Sequence, residues 1–231
     1  MKKLTFIFCA LLALQLANGQ DKQQETVVDS LYVEDQFYIS TTFNFFGRKF
    51  DGLSQNGFSF GLHFGFIKDF PLNKRRNIAI GLGLGYSTNS FNNNLFINRD
   101  TNNTTTYNII DSDISFSKNK LSHHLIELPL EFRWRTSTAK TYSFWRIYTG
   151  LKLGYVVGNN SKFLGDPEDL KIKDINEINK FQYGLTMSAG YNTWNFYAYY
   201  ALNPIFSSQA RLNSGSIDIN AIKIGLIFYI L

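Results

Sequence analysis

The residues best suited to covalent chemistry are Ser122, His123 and His124, which place a hydroxyl beside two imidazoles. Nucleophilic catalysis needs a hydroxyl or thiol, a base beside it and a third group that orients the base. Adjacent residues of a strand point to opposite faces, and no acidic residue stands out nearby as the orienting group. Two histidines without a cysteine or an obvious third ligand also make a poor metal site. We therefore predict no catalytic, metal-binding or cofactor-binding residues.

A second set of ionisable residues is interleaved with large apolar residues, where ion pairing rather than catalysis is the expected chemistry. Glu127 and Glu131 alternate with Leu128 and Leu130, and the other members have similar surroundings. The set comprises His63, Glu127, Glu131, Arg133, Arg135, Arg146, Lys152 and Lys223.

The segments that carry these residues alternate apolar and small or polar positions, which predicts β-strands. In residues 77–86 the isoleucines, leucines and Tyr86 fall on one face, opposite Ala79 and three glycines. No segment has a sustained helical period. Eight segments follow the strand pattern: residues 37–45, 58–66, 77–86, 126–134, 145–157, 181–191, 194–202 and 222–230.

The glycine-rich face distinguishes a transmembrane barrel from a soluble sandwich or a lipocalin-like barrel. A solvated sheet face needs longer polar side chains than glycine, whereas a narrow lumen accommodates glycine well. Transmembrane barrels are apolar outside and polar inside, with aromatic girdles at the interfaces. Trp134, Trp145, Trp194 and Tyr229 lie near strand ends, where such girdles belong. A lipocalin-like barrel would need the inverse pattern.

Connection lengths support the same fold. Long connections at residues 47–56, 92–120, 158–177 and 204–216 alternate with short ones at 69–76, 137–141 and 192–193. Outer-membrane barrels have long extracellular loops and short periplasmic turns. We therefore predict an all-β fold, an eight-stranded antiparallel transmembrane β-barrel.

In this barrel the second ionisable set points into the lumen. An eight-stranded barrel has an interior just wide enough to be filled by side chains. Because unpaired buried charges are costly, we expect these residues to form a charge-paired structural plug. A selective pore is the alternative interpretation.

The N-terminus has the pattern of a secretory signal peptide over residues 1–19. Lys2 and Lys3 precede an apolar run, and Ala17-Asn18-Gly19 supplies small residues for cleavage. Residues 20–36 form a polar, acidic periplasmic lead-in, and residues 37–231 form the barrel domain. The whole chain has 23 basic and 18 acidic residues, so removing two lysines lowers the net charge from +5 to +3. Scattered basic residues argue against nucleic-acid binding.

Two surfaces are candidates for partner binding. The predicted outer loop at residues 92–120 is either a recognition surface or a solvated connection. Lys74, Arg75 and Arg76 lie on a predicted periplasmic turn, where they contact either acidic lipid headgroups or a periplasmic partner.

Residues 65–86, from Gly65-Phe-Ile-Lys-Asp-Phe-Pro through Gly-Leu-Gly-Tyr86, resemble the PorT family of Bacteroidetes outer-membrane barrels. Residues 125–134, Leu-Ile-Glu-Leu-Pro-Leu-Glu-Phe-Arg-Trp, resemble a strand that many small barrels of that phylum share. The PorT resemblance implies a role in type IX protein secretion and, in gliding relatives, in motility. It supplies no catalytic or binding residues.

Together these observations predict a non-enzymatic outer-membrane protein accessory to type IX secretion, with membrane lipid and other secretion components as partners. Two alternatives stay open. One is a general surface barrel that stabilises the envelope or binds an extracellular ligand. The other is a lipid-modifying enzyme, since some outer-membrane enzymes place Ser and His near the outer end of a strand. The oligomeric state is open.

Overall fold

The computed structural model describes residues 34–55, 57–101, 103–111, 113–137, 143–166, 168–213 and 215–230. The proposed signal peptide and most of the lead-in lie outside these residues. Within them, no helix is long and apolar enough to span a membrane. The strands are β1 (Gln36–Phe46), β2 (Phe60–Pro71), β3 (Ile78–Asn92), β4 (Leu95–Arg99), β5 (Thr105–Ile109), β6 (Phe116–Arg135), β7 (Trp145–Gly165), β8 (Leu170–Lys173), β9 (Phe181–Tyr191), β10 (Trp194–Ala201), β11 (Arg211–Leu212), β12 (Gly215–Ser216) and β13 (Ala221–Ile230).

Eight of these strands close into an antiparallel barrel, which confirms the predicted fold. The order is β6-β3-β2-β1-β13-β10-β9-β7, and pairing of β6 with β7 closes the ring. Each barrel strand corresponds to one predicted segment. The end with the long connections is called the loop end, and the end with the short connections is called the turn end.

Alternation along each strand separates an outer apolar face from an inner face. On β3, Leu82 and Leu84 are 44% and 62% exposed, whereas Ala79 is fully buried. The same contrast recurs on β6, where Leu128 and Leu130 are exposed on either side of buried positions. The apolar residues therefore face outward, and small or polar residues fill the interior.

The glycines of β3 make room for large side chains from other strands. A Cβ atom at Gly81 would lie 2.7 Å from Cδ of Arg133, and one at Gly85 would overlap the Tyr38 hydroxyl. These two positions can hold only glycine while the neighbouring side chains keep their places. The glycine face of β3 therefore leaves room in the lumen for the side chains of Tyr38 and Arg133.

The loops at the loop end build an apolar cap. Phe206 and Ile219 are buried with Tyr107, whose ring meets that of Phe206 edge-on at 5.7 Å. Tyr107 Oη donates to Glu177 Oε2 at 3.4 Å. Burial, followed by the charge of Glu177, raises the pKa of Tyr107. The cap closes this end of the barrel.

Four details predicted from sequence were wrong. Residues 92–120 are not one loop, because β4 pairs with β5 as a hairpin and β6 begins at Phe116. Residues 158–177 are not one loop either, because β7 continues to Gly165 and pairs with β8. The short turn does not begin at Asp69, because β2 continues to Pro71. Tyr229 is not a girdle residue, because its ring lies over Arg133 and Arg146 inside the barrel.

Candidate functional site

The lumen near the turn end holds a buried carboxylate between two arginines. Arg133 and Arg135 are two residues apart on β6, so both point inward, and both are 0% exposed. Arg133 Nη1 donates to Asp69 Oδ1 at 2.8 Å, and Arg135 Nη2 donates to Asp69 Oδ2 at 2.7 Å. Asp69 therefore accepts a charge-assisted hydrogen bond from each guanidinium, and such bonds are stronger than those between neutral groups.

Residues at the start of β1 and in the turn between β2 and β3 complete this cluster at the turn end of the lumen. Arg133 donates to the Glu34 carbonyl at 3.2 Å and to the Gln36 side chain, which itself donates to the Glu34 carboxylate at 3.1 Å. Arg135 Nε donates to the Arg76 carbonyl at 3.0 Å. The end of the lead-in and the β2–β3 turn are thus tied to the two arginines.

A second cluster surrounds Glu127 farther up the lumen. Its carboxylate lies 3.0 Å from Lys152 Nζ and 3.3 Å from His63 Nδ1, and it accepts a hydrogen bond from Ser87 Oγ at 2.7 Å. His63 Nε2 lies 3.3 Å from the Thr42 hydroxyl. The cluster therefore links β1, β2, β3, β6 and β7 across the interior.

Several cations of the lumen also lie against aromatic rings. The Arg133 guanidinium lies 4.2 Å from the Tyr148 ring centroid, and that of Arg146 lies 4.5 Å from Phe144. Lys223 Nζ lies 4.8 Å from the Tyr199 ring. A cation over an aromatic face is attracted by the ring quadrupole, more strongly when water is excluded.

All eight residues expected in the lumen are buried, and most of them touch. Glu131 Oε2 lies 3.7 Å from Arg133 Nε. Arg146 and Lys223 differ from the expectation, because neither lies within 4 Å of a described carboxylate. Both are placed against aromatic rings instead.

Sequence reasoning missed two of the acids in this network, Asp69 and Glu34. The expected set held two acids against five lysines and arginines, an imbalance that a closed lumen should not tolerate. Asp69 also continues the inward alternation of His63 and Ile67. Extending β2 by three residues would have placed it inside.

The Ser122–His124 triplet does not form a catalytic arrangement. His123 is buried in the lumen against Phe91, with ring centroids 5.5 Å apart. His124 lies on the other face, where Nδ1 is 2.7 Å from the Tyr86 hydroxyl. Within the described chain, no three His, Cys, Asp or Glu side chains are grouped to hold a metal.

The three basic residues of the turn between β2 and β3 differ in their exposure to solvent. Lys74 and Arg75 are exposed. Arg76 is half-buried, has a positive φ of 55°, and uses its carbonyl to hold Arg135. Lys74 and Arg75 are the cations of the turn that are available to a partner.

The family model described as "Outer membrane protein beta-barrel domain" matches residues 18–207. The chain belongs to this family. The barrel accordingly lies in the outer membrane with its apolar outer face against lipid, its loop end outside and its turn end in the periplasm.

Solved structures show weaker likeness. The attachment invasion locus protein Ail of Yersinia pestis has a TM-score of 0.34 and 11% identity, covering 86% of this chain and 99% of that chain. A mutant of the Rhodopseudomonas blastica porin has a TM-score of 0.21 and 8% identity, covering 86% of this chain and 100% of that chain. No curated protein matches the chain. At these scores the likeness adds nothing to the family assignment.

Proposed function

We propose that this outer-membrane barrel is non-enzymatic and acts through its two ends rather than through its lumen. The observation that carries the proposal is the buried network of Asp69, Glu127 and their cationic partners, which fills the interior. The apolar cap adds a second obstruction at the loop end. A transported protein or solute has no route through such an interior, so any contribution must come from surfaces that other molecules touch.

We further propose that the barrel is an accessory component of type IX protein secretion. The support is the resemblance of residues 65–86 to the PorT family, together with residues 125–134, which resemble a strand that many small barrels of the same phylum share. The first of these stretches contains the periplasmic turn, where Lys74 and Arg75 are exposed. This turn is the proposed contact for another secretion component, and a role in gliding motility would follow from the same contact.

A deletion strain tests the secretion role. Loss of extracellular proteins, with the same proteins retained in the periplasm, is the expected result. Complementation then compares wild type with the Lys74→Ser, Arg75→Ser variant, which keeps Arg76 because that residue is half-buried and has a positive φ of 55°. Heat-modifiable electrophoretic mobility reports folding in the same cells. A folded variant that secretes normally removes the turn from consideration, and normal secretion in the deletion strain overturns the role itself.

Extracellular ligand binding is the second candidate function, and a groove at the loop end favours it. This cavity of about 570 Å³ has apolar walls that include Phe96, Phe163 and Leu212, with Asp111 and Asp166 among its polar residues. Volumes of this size are typical of small-molecule pockets. Replacing Phe96 with Asp should abolish retention of a ligand from culture medium while leaving secretion intact. A lipid-modifying enzyme has less support, because His123 and His124 lie on opposite faces of β6.

We also propose that residues 1–19 are removed on export and that residues 20–36 precede a barrel domain at 37–231. The charged start, apolar run and small residues at 17–19 support cleavage before Gln20. The intact mass of protein purified from outer membranes tests this. A mass that includes Met1 would contradict it.

A further inference from the structure

Five lysines share one face of the sheet that β6, β7 and β8 form at the loop end. Lys120 of β6 is directly opposite Lys162 of β7, which is directly opposite Lys171 of β8. Lys118 and Lys173 extend the same face. Like charges directly opposite one another destabilise a sheet, so this arrangement needs an explanation outside simple strand pairing.

These lysines face outward from the barrel. Asn119, Ser161 and Ile172, which alternate with them along the strands, are all buried. Lys162 reaches the outer face because the β6–β7 register shifts at His124 and Leu125. Before the shift the odd-numbered residues of β7 point outward, as Tyr155 and Val157 do, and after it the even-numbered residues do.

The charge of this lysine face is not neutralised by neighbouring carboxylates. Among the described residues, no acidic oxygen lies within 4 Å of these ammonium groups. Lys118, Lys162 and Lys171 all repel the charge of Lys120. Of the acidic residues nearby, Asp166 and Glu168 line the groove on the other side with Phe163 and Leu170. Asp169 and Asp174 are exposed at the two ends of β8, and neither forms an ion pair with these lysines. Positive charge is therefore concentrated on the side that faces the membrane surface.

The lysine face also lies just above the lipid headgroups. The exposed apolar band below it includes Ile126, Tyr155 and Val157, and the Tyr86–His124 pair marks its upper edge. Lys120 is four residues beyond His124, or about 13 Å along the strand. For a strand tilted by about 40°, this is about 10 Å along the membrane normal, just above a headgroup layer that is about 5–8 Å thick. Lysine stems can also bend toward that layer.

We propose that the lysine face binds an outer-leaflet lipid whose headgroup carries more than one phosphate. Several ammonium groups spread over three strands match several phosphates better than a single anion. A lipid fits better than free phosphate, because the apolar band directly beneath the lysines provides a surface for acyl chains. The repulsion within the sheet is then relieved by the bound anions.

The test compares two variants that each remove four positive charges from the mature protein. The first replaces the lysine face with glutamine at Lys118, Lys120, Lys162 and Lys171. The control makes the same replacement at four exposed cations elsewhere: Arg48, Lys49, Lys68 and Arg211. Native mass spectrometry in a neutral detergent measures binding of diphosphoryl lipid A, with monophosphoryl lipid A and inorganic phosphate as comparisons.

We expect the lysine-face variant to bind diphosphoryl lipid A at least tenfold more weakly, and the control to stay within twofold of wild type. Monophosphoryl lipid A should bind wild type more weakly than the diphosphoryl form. Equal affinity of both variants would overturn the proposal. Effective competition by millimolar inorganic phosphate would instead assign the lysines to a free anion and overturn the lipid assignment.

A stability measurement separates lipid binding from a purely structural role. In detergent without anionic lipid, the lysine-face variant should unfold at the same temperature as wild type or higher, because mutual repulsion has been removed. Lipid A should raise the unfolding temperature of wild type but not of this variant. Unfolding of the lipid-free variant at a lower temperature would show that the lysines stabilise the fold by themselves, which contradicts the proposal.

Discussion

Asp69→Asn is expected to be among the most destabilising single changes in the barrel. The carboxylate is fully buried and bonded to both Arg133 and Arg135, which are themselves fully buried. Asparagine has nearly the same shape, so packing is preserved while the negative charge is lost. The two guanidiniums then face one another in the lumen without the anion between them.

The expected loss of stability follows from the cost of leaving a buried charge without its partner. Removing one partner of a buried ion pair typically costs about 3–5 kcal/mol. Arg133 keeps its contacts with Glu34 and Gln36, so Arg135 bears most of the loss. We therefore expect the free energy of unfolding to fall by about 3–5 kcal/mol rather than by twice that amount.

The assay is urea unfolding in lipid vesicles, followed by heat-modifiable mobility and tryptophan fluorescence. Asp51→Asn is the matched control, because Asp51 is an exposed carboxylate in an outer loop, and its unfolding midpoint should equal that of wild type. A second variant, Asp69→Leu with Arg135→Leu, should recover part of the loss by removing the stranded charge. A change below about 1 kcal/mol for Asp69→Asn would refute the reasoning, because it is smaller than any buried-pair cost.

Three further changes test the outer face, the inner face and the cap. Leu82→Arg should lower the free energy of unfolding by about 2–4 kcal/mol, because it places a charge against lipid near the bilayer midplane. Leu72→Arg in the periplasmic turn should leave vesicle insertion unchanged. Equal effects of the two changes would contradict the conclusion that Leu82 faces lipid. Gly85→Ala should lower the free energy of unfolding by about 1–3 kcal/mol, because the added methyl group overlaps the Tyr38 hydroxyl. Adding Tyr38→Phe, which removes that hydroxyl, should restore part of the lost stability in the same urea assay. Tyr107→Phe should lower stability by about 1 kcal/mol and increase protease cleavage of the outer loops, so unchanged cleavage would argue against the cap.

The barrel could be predicted because its two faces differ in composition along every strand. Residues 78–86 alternate between large apolar side chains and glycine or alanine, and only a lipid-facing wall around a narrow interior needs that pattern. Strand ends could not be predicted as well. β6 and β7 continue past the lipid band, where polar residues such as Asn119 and Asn160 still pair with a neighbouring strand.

The charge network could be predicted by residue type but not by partner. Alternation placed Arg133 and Arg135 inside, yet the sequence does not say which acid they meet. Asp69 lies 64 and 66 positions away on β2, and Glu34 precedes the barrel altogether. Such partners follow from barrel closure and register, which are long-range properties.

The lysine face was not predicted for two reasons: these lysines lie beyond the predicted strand segments, and one register shift reverses the alternation along β7. Strict alternation along β7 places Lys162 on the same side as Lys152, inside the lumen. The irregularity at His124 and Leu125 moves it outward, beside Lys120. A bulge of one residue reverses every following side chain, and sequence alternation alone gives no signal for it.

The most direct test of the central claim is the conductance of purified wild-type protein in planar bilayers. Ion flow reports the state of the lumen without any mutation, and a wide porin in the same bilayers controls for insertion. Because the Asp69 and Glu127 networks fill the interior, we predict no stable conductance steps above the bilayer background. Reproducible, long-lived steps from the folded protein would show an open path and contradict a filled lumen.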